Sequence, residues 1–186
     1  MVRAILDGRK TTTRRALKGD AREHIQIDVH GSVIGVYDMF EGTVRPASDY
    51  TPYRPGDILY VRETWLEHST PGFGYIYKVD YMGQITETAV RWHPSIHMPK
   101  EAARIFLRVT DVRAERLQDI TPDGCAMEGI ELYSGPVGKR EAYYKREFAK
   151  LWNSTIPQKD SQSLTWGNNP WAWVIEFERT ARPDED

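Results

Sequence analysis

The chain predicts an α+β domain built on a small mixed or antiparallel β-barrel with short flanking helices, and three stretches carry that expectation. Residues 58–65 are β-branched and aromatic, residues 104–117 alternate in polarity over a long run, and residues 171–178 set Trp171, Trp173, Ile175 and Phe177 on one face. Helix signals fall between these strands instead of in a separate block, which points to short helices packed around one sheet.

Taken in chain order, residues 2–6 are short and apolar and stop at Gly8, the pattern of one or two helical turns closed by glycine. Residues 19–54 hold brief alternation at 26–29 and 32–37 among turn residues, and read as a hairpin or long loop. Pro55-Gly56-Asp57 is a turn, and the strong strand of 58–65 follows it. A second strand is expected over 75–81, with 86–92 a candidate to pair with it. Two prolines bracket residues 94–99 and exclude regular structure there. The long run of 104–117 reads as a bent strand. Thr121 is then placed to cap a helix with Pro122 at its first position, ending near Gly129. Residues 139–152 form a second helix with Tyr143, Phe148, Leu151 and Trp152 on one side, and Asn168-Asn169-Pro170 turns the chain into the closing strand.

The 186 residues fit one domain, with a loop or hairpin insertion at about 19–54 and a helical insertion at about 131–157. An apolar fraction of 40% supports a core, and 28% charged residues is ordinary for a soluble protein. No window approaches the roughly 18 apolar residues of a membrane helix, and no charged-then-apolar leader is present. A single cysteine, Cys125, excludes an internal disulfide. A soluble cytoplasmic protein without membrane partners is expected.

Net charge is −2, which argues against a protein that coats long nucleic acid through its phosphates. The basic residues are concentrated, though. Arg3, Arg9, Lys10, Arg14, Arg15, Lys18 and Arg22 crowd residues 1–22 against only Asp7 and Asp20. Within them lies Gly8-Arg9-Lys10-Thr11-Thr12-Thr13-Arg14-Arg15, a hydroxyl-rich basic stretch suited to a nucleoside, a nucleotide or a short RNA end. A solvated basic helix end is the plainer alternative.

The pattern Gly8-x-Lys10 followed by Thr13 and Arg15, then Pro55-Gly56-Asp57 ahead of a strand, resembles the ASCH domain, whose barrel is similar to the PUA and YTH RNA-binding domains. A phage and prophage branch of that family is similar at residues 61–65 (VRETW), 95–99 (SIHMP), 116–120 (RLQDI), 128–130 (EGI) and 169–171 (NPW). The blocks span nearly the whole chain. In that family a strand-like stretch precedes the segment that begins here at Met1. Small ASCH proteins include metal-independent amidohydrolases that remove an acyl group from N4 of acylated cytidine, with a lysine, a threonine and a glutamate acting together. The resemblance places these on Lys10, Thr13 and Glu128, with Arg15 as the accompanying arginine. It implies no cofactor and a small nucleoside substrate; other members bind or cleave RNA, which keeps RNA as an alternative partner.

The chemistry sets its own conditions. Threonine is a poor nucleophile unless a base takes its proton, and lysine is a base only when burial or neighbouring cations make it neutral. Arg9, Arg14 and Arg15 supply such cations. Lys10 and Thr13 are three apart, so they meet on a helical turn but oppose each other on a strand, and a turn or bulge between them is expected. Glu128 is then the proton shuttle to the leaving amine. The same residues would equally serve binding without turnover. Glu63 and Trp65 are expected at the barrel mouth, where Trp65 could stack a base or else fill the core, and Arg14 is expected to touch the substrate or RNA. Arg62 and Glu63 are alternatively an ion pair with the basic stretch. His68, His93 and His97 lack metal-ligand spacing, so no metal site is expected. Cys125, Trp166, Trp171 and Trp173 read as core.

Overall fold

The computed structural model describes residues 1–17, 25–27, 33–38, 42–68, 70, 72, 74–81 and 91–183. Its centre is a curled antiparallel sheet of four strands in the order β1 (Thr12–Ala16), β9 (Trp171–Thr180), β8 (Phe106–Arg116) and β5 (Ile58–Tyr60). The protein is therefore α+β with a half-barrel of antiparallel strands. The last strand of the sequence is the middle of the sheet, paired to β1 on one side and β8 on the other.

Both faces of β9 are covered, which explains its near-continuous apolar sequence. Trp173 and Ile175 pack with Leu17, Val109 and Ala114, and Phe177 packs with Ile5, Ile105 and Leu107. On the other face Ala172 meets Leu117, Ile120, Cys125, Tyr144, Phe148 and Trp152. Those residues come from helix α2 (Pro122–Met127), helix α3 (Arg140–Thr155) and the segment leading into α2. Tyr144, Phe148 and Trp152 recur every four residues and form the buried stripe of α3. Tyr143 and Leu151, expected on that stripe, lie at its half-buried edge.

Several local expectations hold in detail. Helix α1 (Val2–Leu6) ends at Gly8, whose φ of 73° only glycine adopts cheaply. Thr121 caps α2 by accepting from the Gly124 N–H. In β8 the register shifts between Val109 and Asp111, and this bulge bends the long strand as its sequence suggested. Gly56, at φ 97°, turns the Pro-Gly-Asp loop so that its N–H meets the Val109 carbonyl beside the bulge.

Others are corrected. Residues 58–65 are not one strand. After β5 the Glu63 N–H donates to the Met98 sulfur, not to a ladder partner, and the chain leaves the main sheet. It resumes as β6 (Trp65–Glu67), paired with β7 (Tyr75–Tyr77) in a separate hairpin. The strand expected over 75–81 stops at Tyr77, because a 3-10 turn at Lys78–Asp80 carries Asp80 to Arg104. Residues 19–54 contain a three-stranded antiparallel sheet of β2 (Ile25–Ile27), β3 (Val33–Asp38) and β4 (Thr43–Arg45); the third strand had no clear sequence signal. Most of the strand expected at 86–92 lies outside the described residues. A short helix α4 (Ser161–Leu164) precedes β9. No described helix is long and apolar enough to cross a membrane.

Candidate active site

Lys10 follows α1 and leads into β1. Its backbone N–H donates to the Ala4 carbonyl at 2.9 Å, closing the turn that Gly8 opens, and Thr11 is then held between Met127 and Phe177. No turn or bulge separates Lys10 from Thr13, contrary to expectation. The chain runs extended, so Lys10, Thr12 and Arg14 project to one side and Thr13 and Arg15 to the other. Glu128 caps the C-terminal end of α2, on the side of Lys10.

The two meet in the interior. Lys10 is 3% exposed and Glu128 is 4% exposed, and Nζ lies 2.6 Å from Oε2. The ammonium also donates to the Thr12 carbonyl at 2.7 Å and to the Glu128 carbonyl at 2.9 Å, so each of its three hydrogens has an acceptor. The second carboxylate oxygen of Glu128 accepts from Arg14 Nη1 at 3.3 Å. Gly129, next in sequence, has φ 91°, and a Cβ there would sit 2.9 Å from the Ala4 Cβ and 3.3 Å from the Lys10 Cβ. Glycine is therefore needed both for the backbone and for the lysine stem to pass. The sequence block Glu128-Gly129 acquires a physical meaning here: one residue carries the charge, the next makes room for its partner.

Burial pushes the Lys10 ammonium below its ordinary range, Glu128 opposes that by charge and hydrogen bond, and Arg15 and Arg14 reinforce it. The two conditions set for a reactive lysine, burial and cationic neighbours, are both met. The 2.6 Å contact gives the proton a direct path to Glu128.

A cleft opens beside this pair. About 280 Å³ of space is lined by Lys10, Thr13, Arg15, Tyr60 and Arg62 above a floor that includes Leu59, Leu107 and Phe177. A smaller recess next to it is lined by Thr13, Arg14, Arg15 and Glu128 against Phe148 and Trp152. Thr13 thus borders both the lysine side and the glutamate side, despite its opposite orientation on β1. Comparison of the chain with family models, curated proteins and solved structures finds no match. The case for a site rests on these contacts.

The structure gathers Lys10, Thr13, Arg15 and Glu128, four of the residues singled out from the sequence. Arg14 sits among them in a different role. It is 6% exposed and held by Glu128 and, through Nη2 at 3.1 Å, by Glu115, so it neutralises carboxylates and does not present a free guanidinium to a ligand. Glu63 and Trp65 are elsewhere. Glu63 is clamped by Arg104, Nε to Oε2 at 2.8 Å and Nη2 to Oε1 at 2.9 Å, and forms no pair with the basic stretch. Trp65 stacks on His93 with centroids 5.0 Å apart, takes Tyr75 edge-on, and packs against Met98 and Ala102. The break in the expected strand is the cause, since it moves both side chains out of the main sheet. Sequence reasoning missed Glu115 and Tyr60 and named Arg62 only for an ion pair with the basic stretch, not for the cleft. Glu115 carried only the alternation of β8, while Tyr60 and Arg62 alternate outward from a strand recognised as such. Cys125 is buried beside Tyr144 and Phe148, and burial raises its thiol to about 11, so little thiolate forms at neutral pH.

Proposed function

We propose that the chain is an amidohydrolase that removes the acyl group from N4 of acylated cytidine nucleosides at the cleft beside Lys10 and Glu128. One observation carries this reading: a desolvated lysine that lines a cleft together with a threonine shares a 2.6 Å contact with a glutamate that lines the adjoining recess. The similarity of the Gly8-x-Lys10, Thr13, Arg15 pattern to the ASCH family supplies the substrate class.

The proton inventory closes. Transfer from Nζ to Oε2 converts the ion pair to a neutral amine and a carboxylic acid, and burial of Lys10, which loosens its hold on the proton, lowers the cost of that step. The amine takes the Thr13 hydroxyl proton as Oγ bonds to the acyl carbon. When the carbon–nitrogen bond breaks, the departing N4 takes the proton of Glu128 and leaves as the free amine. Lys10 is then an ammonium beside a carboxylate, as at the start. A second Nζ-to-Oε2 transfer readies the pair for water. Lys10 takes a proton from that water as it attacks the acyl-threonine ester, and Glu128 returns one to Thr13 Oγ.

A reader of RNA without turnover is less well supported. The aromatic platform expected for base stacking, Trp65, already stacks on His93 and takes Tyr75 edge-on. The test is incubation with N4-acetylcytidine while following the ultraviolet spectrum. Conversion to cytidine that disappears in Thr13→Val is expected, and the absence of conversion by the wild-type chain overturns the reading.

A further inference from the structure

Two arginines at the cleft have no acidic partner among the described residues. Arg15 is exposed, and the one bond it makes among the described residues is from Nη1 to the Arg14 carbonyl at 3.3 Å. Arg62 is also exposed. It donates to the Ile96 carbonyl and to the Tyr60 hydroxyl, both at 3.1 Å, and lies against the Tyr60 ring at 5.6 Å. Neither has a carboxylate partner among the described residues. The contrast with their neighbours is sharp, because Arg14 is held by Glu128 and Glu115, and Arg104 by Glu63 and Asp80.

Both guanidiniums border one cavity, opposite apolar Leu59, Val61, Leu107 and Phe177. A charge beside an apolar floor is screened less than one in open water, so an anion arriving there is attracted strongly. Arg62 is also preorganised. Stacking and two hydrogen bonds fix its plane while three of its five N–H groups remain to donate. Planar donors of this kind match phosphate oxygens. The volume of about 280 Å³ lies at the low end for small-molecule sites, which leaves room for a base and sugar but not for a folded polymer.

We infer that the cleft takes a cytidine 5′-monophosphate, acylated at N4 in the substrate, with the phosphate held by Arg15 and Arg62 at the rim and the base directed toward Lys10 and Thr13. The inference rests on the cytidine reading of the cleft and deepens it from nucleoside to nucleotide. An overall charge of −2 accords with a single phosphate as the anion, not a long polyanion.

Binding alone tests it. In calorimetric titrations cytidine 5′-monophosphate is expected to bind roughly tenfold or more tightly than cytidine, by the strength of charge-assisted phosphate contacts. The advantage should shrink with added salt, and inorganic phosphate should compete for it. In the Arg15→Gln/Arg62→Gln double variant the ratio of the two affinities should fall toward one, while Arg62→Lys, which keeps the charge and loses the planar fork, should fall between. Both positions are exposed, and an unchanged melting temperature confirms that the variants fold. Equal affinities for the two ligands overturn the phosphate site, and so does tighter binding of a cytidine tetranucleotide than of the mononucleotide. Turnover separates the two claims. Nucleotide binding without hydrolysis of either acylated form overturns the hydrolase reading alone, and hydrolysis of the nucleoside with no gain from its phosphate overturns the phosphate site alone.

Discussion

Two glutamates are buried among the described residues, each against a cation, and they do different work. Glu63 is gripped through both oxygens by Arg104, which also bonds Asp80 and lies 3.9 Å over the Tyr77 ring. Glu128 divides its oxygens between Lys10 and Arg14. The Glu63 hydrogen bonds raise the already high pKa of Arg104, so the guanidinium stays charged at any ordinary pH, and the pair staples the 61–64 segment to the chain just before β8. In the other pair burial weakens the hold of lysine on its proton. Burial of a carboxylate is thus a poor guide to chemistry by itself. The identity of the cation and the presence of a cleft beside it separate a staple from a proton-transfer pair.

The same substitution at both cations gives the largest expected contrast. Lys10→Met keeps the stem that passes Gly129 and leaves Glu128 paired with Arg14, so the chain should fold while deacylation of N4-acetylcytidine falls by roughly 10²–10⁴-fold, the range for loss of a general base. Arg104→Met strands Glu63 with no cation, and removal of one partner of a buried pair costs about 3–5 kcal/mol. Urea denaturation should register that loss, with the rate per folded molecule little changed. If Arg104→Met abolishes turnover in the folded protein, or Lys10→Met leaves it intact, the division of roles is wrong.

A smaller effect distinguishes the pairs by pH. The folded chain holds the Lys10 proton less tightly than the unfolded chain, whose value is 10.5. Between the lowered folded value and 10.5 the unfolded chain therefore carries more protons, and stability rises with pH. This contribution is complete above 10.5 and is lost as pH falls through the folded value. Its slope is at most about 1.4 kcal/mol per pH unit for one group. The difference in urea midpoint between wild type and Lys10→Met should climb across that window. The corresponding difference for Arg104→Met should stay level there, since a guanidinium does not titrate.

Most of the frame was legible because it depends on local signals: the glycine that stops α1, the threonine and proline that open α2, and the alternation that makes β8 and β9. Lys10, Thr13, Arg15 and Glu128, singled out by a spaced pattern, do come together around one cleft and its adjoining recess. What was hidden depends on contacts distant in sequence. Residues 58–65 have strand composition throughout, yet the strand breaks because Glu63 answers to Arg104, 41 residues away. Trp65 follows that break into a hairpin with Tyr77, and no property of its own neighbours announces the move. Arg14 looked like a ligand contact because its carboxylate partners, Glu115 and Glu128, lie more than a hundred residues further along.

The smallest predicted effect on stability comes from two adjacent threonines, of which one reacts. Thr12 shares the side of Lys10 and lends Nζ its carbonyl, so proximity alone would favour it. Its hydroxyl, however, is buried with no hydrogen-bond partner, at a residue only 2% exposed, and does not line the cleft. Thr13 is less buried and does. A valine keeps the shape of threonine and removes the hydroxyl. At position 12 that deletes a buried polar group that gains nothing from its surroundings, so stability should change by less than about 1 kcal/mol, in either direction but tending upward, with turnover retained. At position 13 the same change should leave stability equally unmoved and remove the nucleophile. Melting curves and initial rates on the two variants decide the matter: loss of turnover in Thr12→Val with retention in Thr13→Val would move the reaction to the interior side of β1 and take the cleft out of the mechanism.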